Sequence, residues 1–302
     1  MPTPLERVHA HLAQLYATPP QDDAEAVAIA RRLFFASALV EGLAPENAPG
    51  VIVEPASLGG VPGEWLRPAA AGGVGRLLYI HGGGWVAGTA ADYRHMTTWL
   101  AAESGLATLA IDYRLAPEHR FPAALEDCLA AWRGLLRAKT PGPLFVAGDS
   151  AGGNLALAMT LELKRLGERL PDAIATIGAC TDFTCAGESY RTRVALDRNV
   201  TPAAVQLFGR CYLAPGQDPA DPRVSPLFGD LAGLPSLLMH VGDYEVLLDD
   251  TTRFAAKARA AGVAVTGKVW PASPHVAEWW HHILPEGRQS LAEIGAYFRR
   301  RA

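Results

Sequence analysis

The sequence predicts an α/β fold: a mostly parallel eight-stranded sheet flanked by helices, with a helical cap. Three observations predict it. From Leu77 onward, short apolar runs alternate with segments of helical periodicity, the pattern of strands joined by crossover helices. Ahead of them, two extended runs flank Gly59-Gly60, as in an antiparallel hairpin. Residues 183–225 then interrupt the alternation with a long insert, of the kind that walls a pocket rather than crossing a sheet.

Taken in order, residues 4–40 read as two amphipathic helices, Leu5–Tyr16 and Asp22–Leu39, separated by Pro19-Pro20. The hairpin runs are Val51–Glu54 and Trp65–Leu66. Six further strands follow at Leu77–Ile80, Ala107–Ile111, Leu144–Ala147, Ala173–Ile177, Ser236–Val241 and Val263–Trp270. Such strands, alternating with helices, imply a sheet covered on both faces. The intervening helices fall at Tyr93–Ser104, Ala123–Arg137, Asn154–Arg169 and Leu247–Ala261, and the insert should hold one near Pro202–Leu213. The Arg299-Arg300-Arg301 run suits a helix C-terminus, where cations complement the dipole. With no repeat, low-complexity tract or linker, residues 1–302 are expected to form one domain, with cap elements from about 1–45 and 183–225.

Composition narrows the function. The chain is 49% hydrophobic and 19% charged, which fits a globular enzyme and argues against disorder. A net charge of -4 with mixed signs points to neither nucleic acid nor an anionic membrane as partner, and leaves a homodimer open. No charged n-region precedes an apolar core, and no apolar stretch is long enough to span a bilayer, so neither a secretory signal nor a membrane span is expected. Cys128, Cys180, Cys185 and Cys211 lack metal-finger or CxxC spacing and read as small apolar fillers in a reducing cytoplasm.

The chemistry is concentrated in two glycine-rich turns. Gly148-Asp149-Ser150-Ala151-Gly152 fits G-x-S-x-G, a weak pattern alone. Its context makes it specific: Leu144–Ala147 is a buried-strand run, and Leu155, Met159, Leu163 and Leu166 recur at helical spacing after it. A sharp strand-to-helix turn leaves little room for side chains, so glycines at 148, 152 and 153 let Ser150 project its hydroxyl. The following helix offers free N–H groups and a positive dipole end. Upstream, His81-Gly82-Gly83-Gly84-Trp85 follows the strand Leu77–Ile80. Backbone amides unobstructed by Cβ atoms can converge there on a developing oxyanion, and the expected donors are Gly82, Gly83 and Ala151. A phosphate loop is disfavoured because no Lys-Ser/Thr follows. His81 is expected to hold the loop.

Of nine histidines, His240, His275, His281 and His282 follow Ser150. In the order nucleophile, acid, histidine, the base belongs on the loop after the last strand. His275 lies there, five residues past Trp270; His240 sits inside a strand, and His281 and His282 read as surface or partly packed. For the acid, Gly242-Asp243-Tyr244-Glu245 offers two carboxylates, either of which could orient the imidazole. Asp249 and Asp250 fall in a helix's first turn, where dipole effects alone favour acids.

Together these motifs resemble the hormone-sensitive-lipase family of α/β-hydrolase esterases, bacterial branch. The resemblance extends from about Leu77 to Arg299, through HGGGW at 81–85, DYRLAPEHRFPAA at 112–124, GDSAGG at 148–153 and DPRVSPL at 221–227. The combination is highly specific. GGVPGEWLRP at 59–68 and PEGRQSLAEIGAYFRR at 285–300 are similar to a subgroup of lactone or short-chain ester hydrolases. The family's acid heads an Asp-Pro-Leu-x-Asp run about thirty residues before the histidine; the matching run here begins at Glu245, thirty before His275, so the resemblance favours Glu245 over Asp243. It also implies that Asp112, Arg114, Pro117 and Glu118 brace the loops. Two departures stand out: Gly178-Ala179-Cys180 replaces the usual Ser-Pro or Pro-Trp before Thr181-Asp182, and Trp279-Trp280 add bulk near the histidine, where they could reshape the acyl or alcohol pocket. Trp85, Phe183, Phe208 and Trp279 are candidate pocket aromatics.

The resemblance implies a carboxylic-ester hydrolase acting on short- to medium-chain acyl esters or lactones through Ser150, His275 and Glu245, without metal or organic cofactor. A non-catalytic small-ligand receptor on the same scaffold is the alternative, disfavoured because all three triad positions are occupied by competent residues. A peptidase or acyltransferase would use the same triad.

Overall fold

The computed structural model describes residues 1–69, 74–138 and 141–302. Its strands are β1 (Val51–Leu58), β2 (Val61–Pro68), β3 (Arg76–Ile80), β4 (Ala107–Ile111), β5 (Leu144–Asp149), β6 (Ala173–Ile177), β7 (Ser236–Gly242) and β8 (Val265–Trp270). Its helices are α1 (Pro4–Leu15), α2 (Asp23–Leu33), α3 (Arg94–Ser104), α4 (Ala123–Arg137), α5 (Ser150–Leu166), α6 (Ser189–Thr192), α7 (Pro202–Tyr212), α8 (Leu248–Ala260) and α9 (Pro285–Arg299).

Period-two side-chain alternation explains how the sheet is buried twice over. In β3, Leu78 and Ile80 face one core with Leu109, Val146 and Leu155, while Leu77 and Tyr79 face the other with Phe145, Leu100 and Phe298. Helices α4 and α5 cover the first face and α3 and α9 the second; α8 adds Phe254 against Met239 and Leu237. The strand order is β1-β2-β4-β3-β5-β6-β7-β8, with β2 antiparallel to β1 and β4 and the rest parallel. The hairpin turns at Gly59-Gly60, both at positive φ (65° and 86°), as a tight two-residue connection requires. Beside β3 the order reverses, so the loops after β3 and β5 diverge around a crevice, the usual ligand position in an open α/β sheet.

Two helices differ from expectation. The second stops at Leu33 instead of Leu39 and continues as 3-10 turns at Phe35–Ala38 and Val40–Gly42. Tertiary bonds impose the break: Trp279 Nε1 donates to Ser37 Oγ at 3.0 Å and Trp280 Nε1 to Ser37 O at 2.8 Å. Helix α5 begins at Ser150 itself, four residues before the predicted Asn154. Within the insert, α7 starts on the capping hydroxyl of Thr201, with Pro202 in its first turn. Arg210 of α7 pairs with Asp23 of α2 at 3.0 Å, joining the insert to the N-terminal helices. Among the described residues, no helix is long and apolar enough to cross a membrane.

Candidate active site

Ser150 sits where β5 becomes α5, at φ +50°. A non-glycine residue held in this region is strained unless its surroundings over-determine it. They do so here by close approach. A Cβ on Gly152 would lie 2.0 Å from Ile80 O and 2.4 Å from His81 O. The turn is therefore pressed directly against the end of β3, and glycine at 152 is a packing requirement.

The loop after β3 lies alongside. Its first amide corrects the expected donor set: Gly82 N–H donates inward, to Asp149 Oδ1 and Tyr93 Oη, both at 3.0 Å. Gly82 is thus an anchor, not an oxyanion donor. The amides of Gly83, Gly84 and Ala151 have no acceptor among the described residues. Asp149, fully buried, also accepts the hydroxyls of Tyr79 and Tyr93 at 2.8 Å each. Burial raises its pKa, and the two tyrosine hydrogen bonds oppose that rise. His81 bonds Gly82 O through Nδ1 at 2.7 Å and stacks on Tyr113 at 4.3 Å; burial pushes its pKa down to about 4, so it is a neutral brace.

His275 occupies the loop after β8, with Nε2 3.0 Å from Ser150 Oγ and Nδ1 2.6 Å from Glu245 Oε2. Glu245 accepts the Gly242 amide at 2.5 Å through its other oxygen. Asp243 turns away and accepts the Ser273 amide at 3.3 Å. Burial alone would lower the His275 pKa, but the charge and hydrogen bond of Glu245, with Asp197 and Asp149 adding, lift it above the ordinary value. Glu245 is raised by its own burial, against the pull of His275. Gly178 heads the stretch that departs from the family pattern: at φ +52°, a Cβ there would lie 2.6 Å from Glu245 Oε2 and 3.0 Å from His275 Nδ1. A side chain at 178 would wedge apart the acid–histidine pair.

Aromatic rings pack beside the loop after β3. Phe208 of α7 lies against Gly84, where an added Cβ would meet its ring at 2.7 Å, and Phe34 reaches Gly83 and Gly88. Trp85 stacks on Tyr212 (centroids 5.0 Å) and meets Phe183 at 4.8 Å. Trp279 and Trp280 are core residues: Trp279 packs on Phe34, Tyr93 and His95, and both indoles hold Ser37. They position the N-terminal segment.

Of the residues the resemblance marks as braces, Asp112 accepts the Ala90 amide at 2.6 Å, Arg114 grips Asp127 at 2.8 Å and Glu118 pairs with Arg31 at 2.6 Å. Asp250 does more than complement a helix dipole: fully buried, it accepts the amides of Thr181 (2.6 Å) and Asp182 (3.0 Å). Sequence reasoning missed two further buried carboxyls. Asp197, in the insert, accepts the Val246 amide at 2.9 Å and those of Asn199 and Val200. Glu278 lies three residues past His275, behind Glu245. Asp197 had a weak local signal, lying in the turn four residues before the capping Thr201 of α7; Glu278 had none.

A serine on a strained strand-to-helix turn at the carboxyl end of a mostly parallel eight-stranded sheet, facing a histidine and acid from later loops, defines the α/β-hydrolase class. Comparison with known proteins agrees. Residues 77–278 match the α/β-hydrolase-fold family. An acetyl-hydrolase of Streptomyces hygroscopicus is 43% identical over 74% of this chain and 75% of its own, and an esterase of Acinetobacter venetianus is 37% identical over 84% of each. The crystal structure of an esterase from the bacterial hormone-sensitive-lipase family superposes with a TM-score of 0.91, at 37% identity over 99% of this chain and 98% of that one. The chain belongs to that family of α/β-hydrolase esterases.

Proposed function

We propose that the protein hydrolyses carboxylic esters, of short to medium acyl chain or in lactone form, through an acyl-enzyme on Ser150. The observation that carries this reading is the hydrogen-bonded run Ser150–His275–Glu245, set beside three amides without acceptors. His275 takes the Ser150 proton as Oγ attacks the carbonyl, and Glu245 holds the imidazole tautomer and stabilises the imidazolium. Gly83, Gly84 and Ala151 receive the oxyanion, each donor contributing about 2.7–4 kcal/mol to the transition state. His275 then passes its proton to the leaving alcohol, and a water activated by the same imidazole releases the acid.

The segments 1–45 and 183–225 form the cap. Phe34 and Phe208 lie over the oxyanion loop, apolar rings against which a small acyl group would pack. The names of the acetyl-hydrolase and esterase relatives agree with such a substrate.

Turnover of p-nitrophenyl acetate by Ser150→Ala should fall by at least about 10³-fold; full activity would overturn the assignment. Glu245→Gln should lower kcat by about 10²–10⁴-fold, as loss of the orienting carboxylate does elsewhere, whereas Asp243→Asn should stay within about threefold. The reverse order would transfer the role to Asp243. Esters from acetate to laurate, with ε-caprolactone, measure the chain-length preference.

A further inference from the structure

Behind the Glu245–His275 pair lies a second buried acid that the proposed mechanism does not use. Glu278 is 3% exposed, and its carboxylate is hydrogen-bonded to Ser290 Oγ of α9. The same Oγ lies 2.7 Å from His240 Nδ1 of β7. The far nitrogen, His240 Nε2, has no hydrogen-bond partner and faces Glu293 Oε2 at 3.9 Å. Glu293 is 37% exposed and pairs with Lys268 at 2.6 Å. At the inner end, Glu278 and Glu245 both line a cavity of about 10 Å³, together with Gly242, Ser273 and Ser290; that is the size of one water molecule.

We infer that Glu278, Ser290 and His240 form a proton wire from the back of the triad acid to the surface, and that Glu278 is a positioning residue whose charge sets how strongly the Glu245–His275 pair stabilises an imidazolium.

The wire has two states. With Glu278 protonated, its O–H donates to Ser290 Oγ, the serine hydroxyl donates to His240 Nδ1, and the imidazole carries its proton on Nε2. Passing each proton one place outward moves the Glu278 proton to Oγ, the Oγ proton to Nδ1, and the Nε2 proton to Glu293 or water. Glu278 is left ionised, Ser290 donates back to it, and His240 is the other neutral tautomer. One proton leaves and one negative charge appears; no co-reactant is needed.

The surroundings set the working range. Burial lifts Glu278 to about 7, the Ser290 hydrogen bond opposing and the charges of Glu245 and Asp149 adding. Tyr79 also lies within its field, Glu286 of α9 borders the cavity, and Lys268 and Glu293 flank the outer end. Burial holds His240 at about 4, so both of its states are neutral at working pH. An ionised Glu278 adds a negative charge behind the pair, which favours the imidazolium formed in the transition state.

The inference rests on the proposed hydrolysis for its consequence but not for its chemistry, and two readouts separate them. Infrared difference spectra of wild type against Glu278→Gln should show a buried protonated-carboxyl band that disappears as pH rises through about 7. The pH profile of kcat/KM should have its acid limb at lower pH in Glu278→Gln, with an alkaline plateau roughly three- to tenfold lower. Ser290→Ala, which removes the bond favouring the carboxylate, should move the infrared transition to higher pH. No band at neutral pH, or Glu278→Gln and wild-type profiles of the same shape, would overturn the inference. A titrating band in a protein that turns over no ester supports the wire and overturns the hydrolase reading.

Discussion

Beneath Ser150 the chain has no room for a methyl group: a Cβ on Gly152 would meet two carbonyl oxygens at 2.4 Å or less, and the neighbouring Asp149 is bound by two hydroxyls and an amide. Above it, Phe34 and Phe208 are only partly buried, and the segments carrying them are tied by pairs such as Arg210–Asp23, both side chains more than half exposed. The lower region is built from backbone against backbone, where a displacement of a few tenths of an ångström is a clash. The upper one is built from side chains that can turn. The contrast explains how a strained φ at Ser150 is tolerated: the strain is locked by contacts that cannot relax independently. On the proposed ester-hydrolase reading, reaction geometry resides below and substrate choice above.

The contrast can be broken by three substitutions. Gly152→Ala should have the largest effect, destabilising by about 3 kcal/mol or more and abolishing turnover, read from the urea midpoint and p-nitrophenyl acetate rates. Phe208→Ala should lower stability by no more than about 1.5 kcal/mol because the ring is partly exposed, yet shift relative kcat/KM toward longer acyl chains by roughly tenfold. Arg210→Ala should change stability by about 0.5 kcal/mol at most, since exposed ion pairs contribute little. A Phe208→Ala protein as unstable as Gly152→Ala would erase the distinction between the two regions.

Strands and crossover helices were legible because burial on both faces leaves continuous apolar runs, and each strand recognised in the sequence recurs within a few residues of its predicted ends. Segments governed by distant contacts were not. The run from Arg31 to Leu39 keeps helical periodicity, and only the two tryptophans some 240 residues away show that it must bend at Ser37. At α5 the glycines suggested a loop before the helix, but they lie inside its first turn, where they accommodate β3. In the site, position and residue type pointed to Ser150 and His275, and only the family resemblance favoured Glu245 over Asp243; His275 lies within hydrogen-bond distance of both Ser150 and Glu245. The identity of the free amides could not be read, because HGGG is the same string whichever glycine turns inward; Asp149 and Tyr93 decide it for Gly82. Glu278 was invisible because its environment comes from β7 and α9 rather than from its sequence neighbours.

Asp197 ties the insert to the loop bearing Glu245, accepting the Val246 amide at 2.9 Å while its neighbour Asn199 reaches His275 O at 3.4 Å. Ser189 of the insert adds a second tie, its Oγ donating to Val246 O at 2.6 Å, so the insert and the loop bearing Glu245 are fastened together. In recombination between relatives, the 183–225 segment is therefore not a freely exchangeable module. A chimera would inherit its donor's specificity only if the transplanted segment supplied an acceptor at position 197; otherwise its first casualty would be the orientation of the acid, and the loss would register as slow chemistry rather than as altered taste.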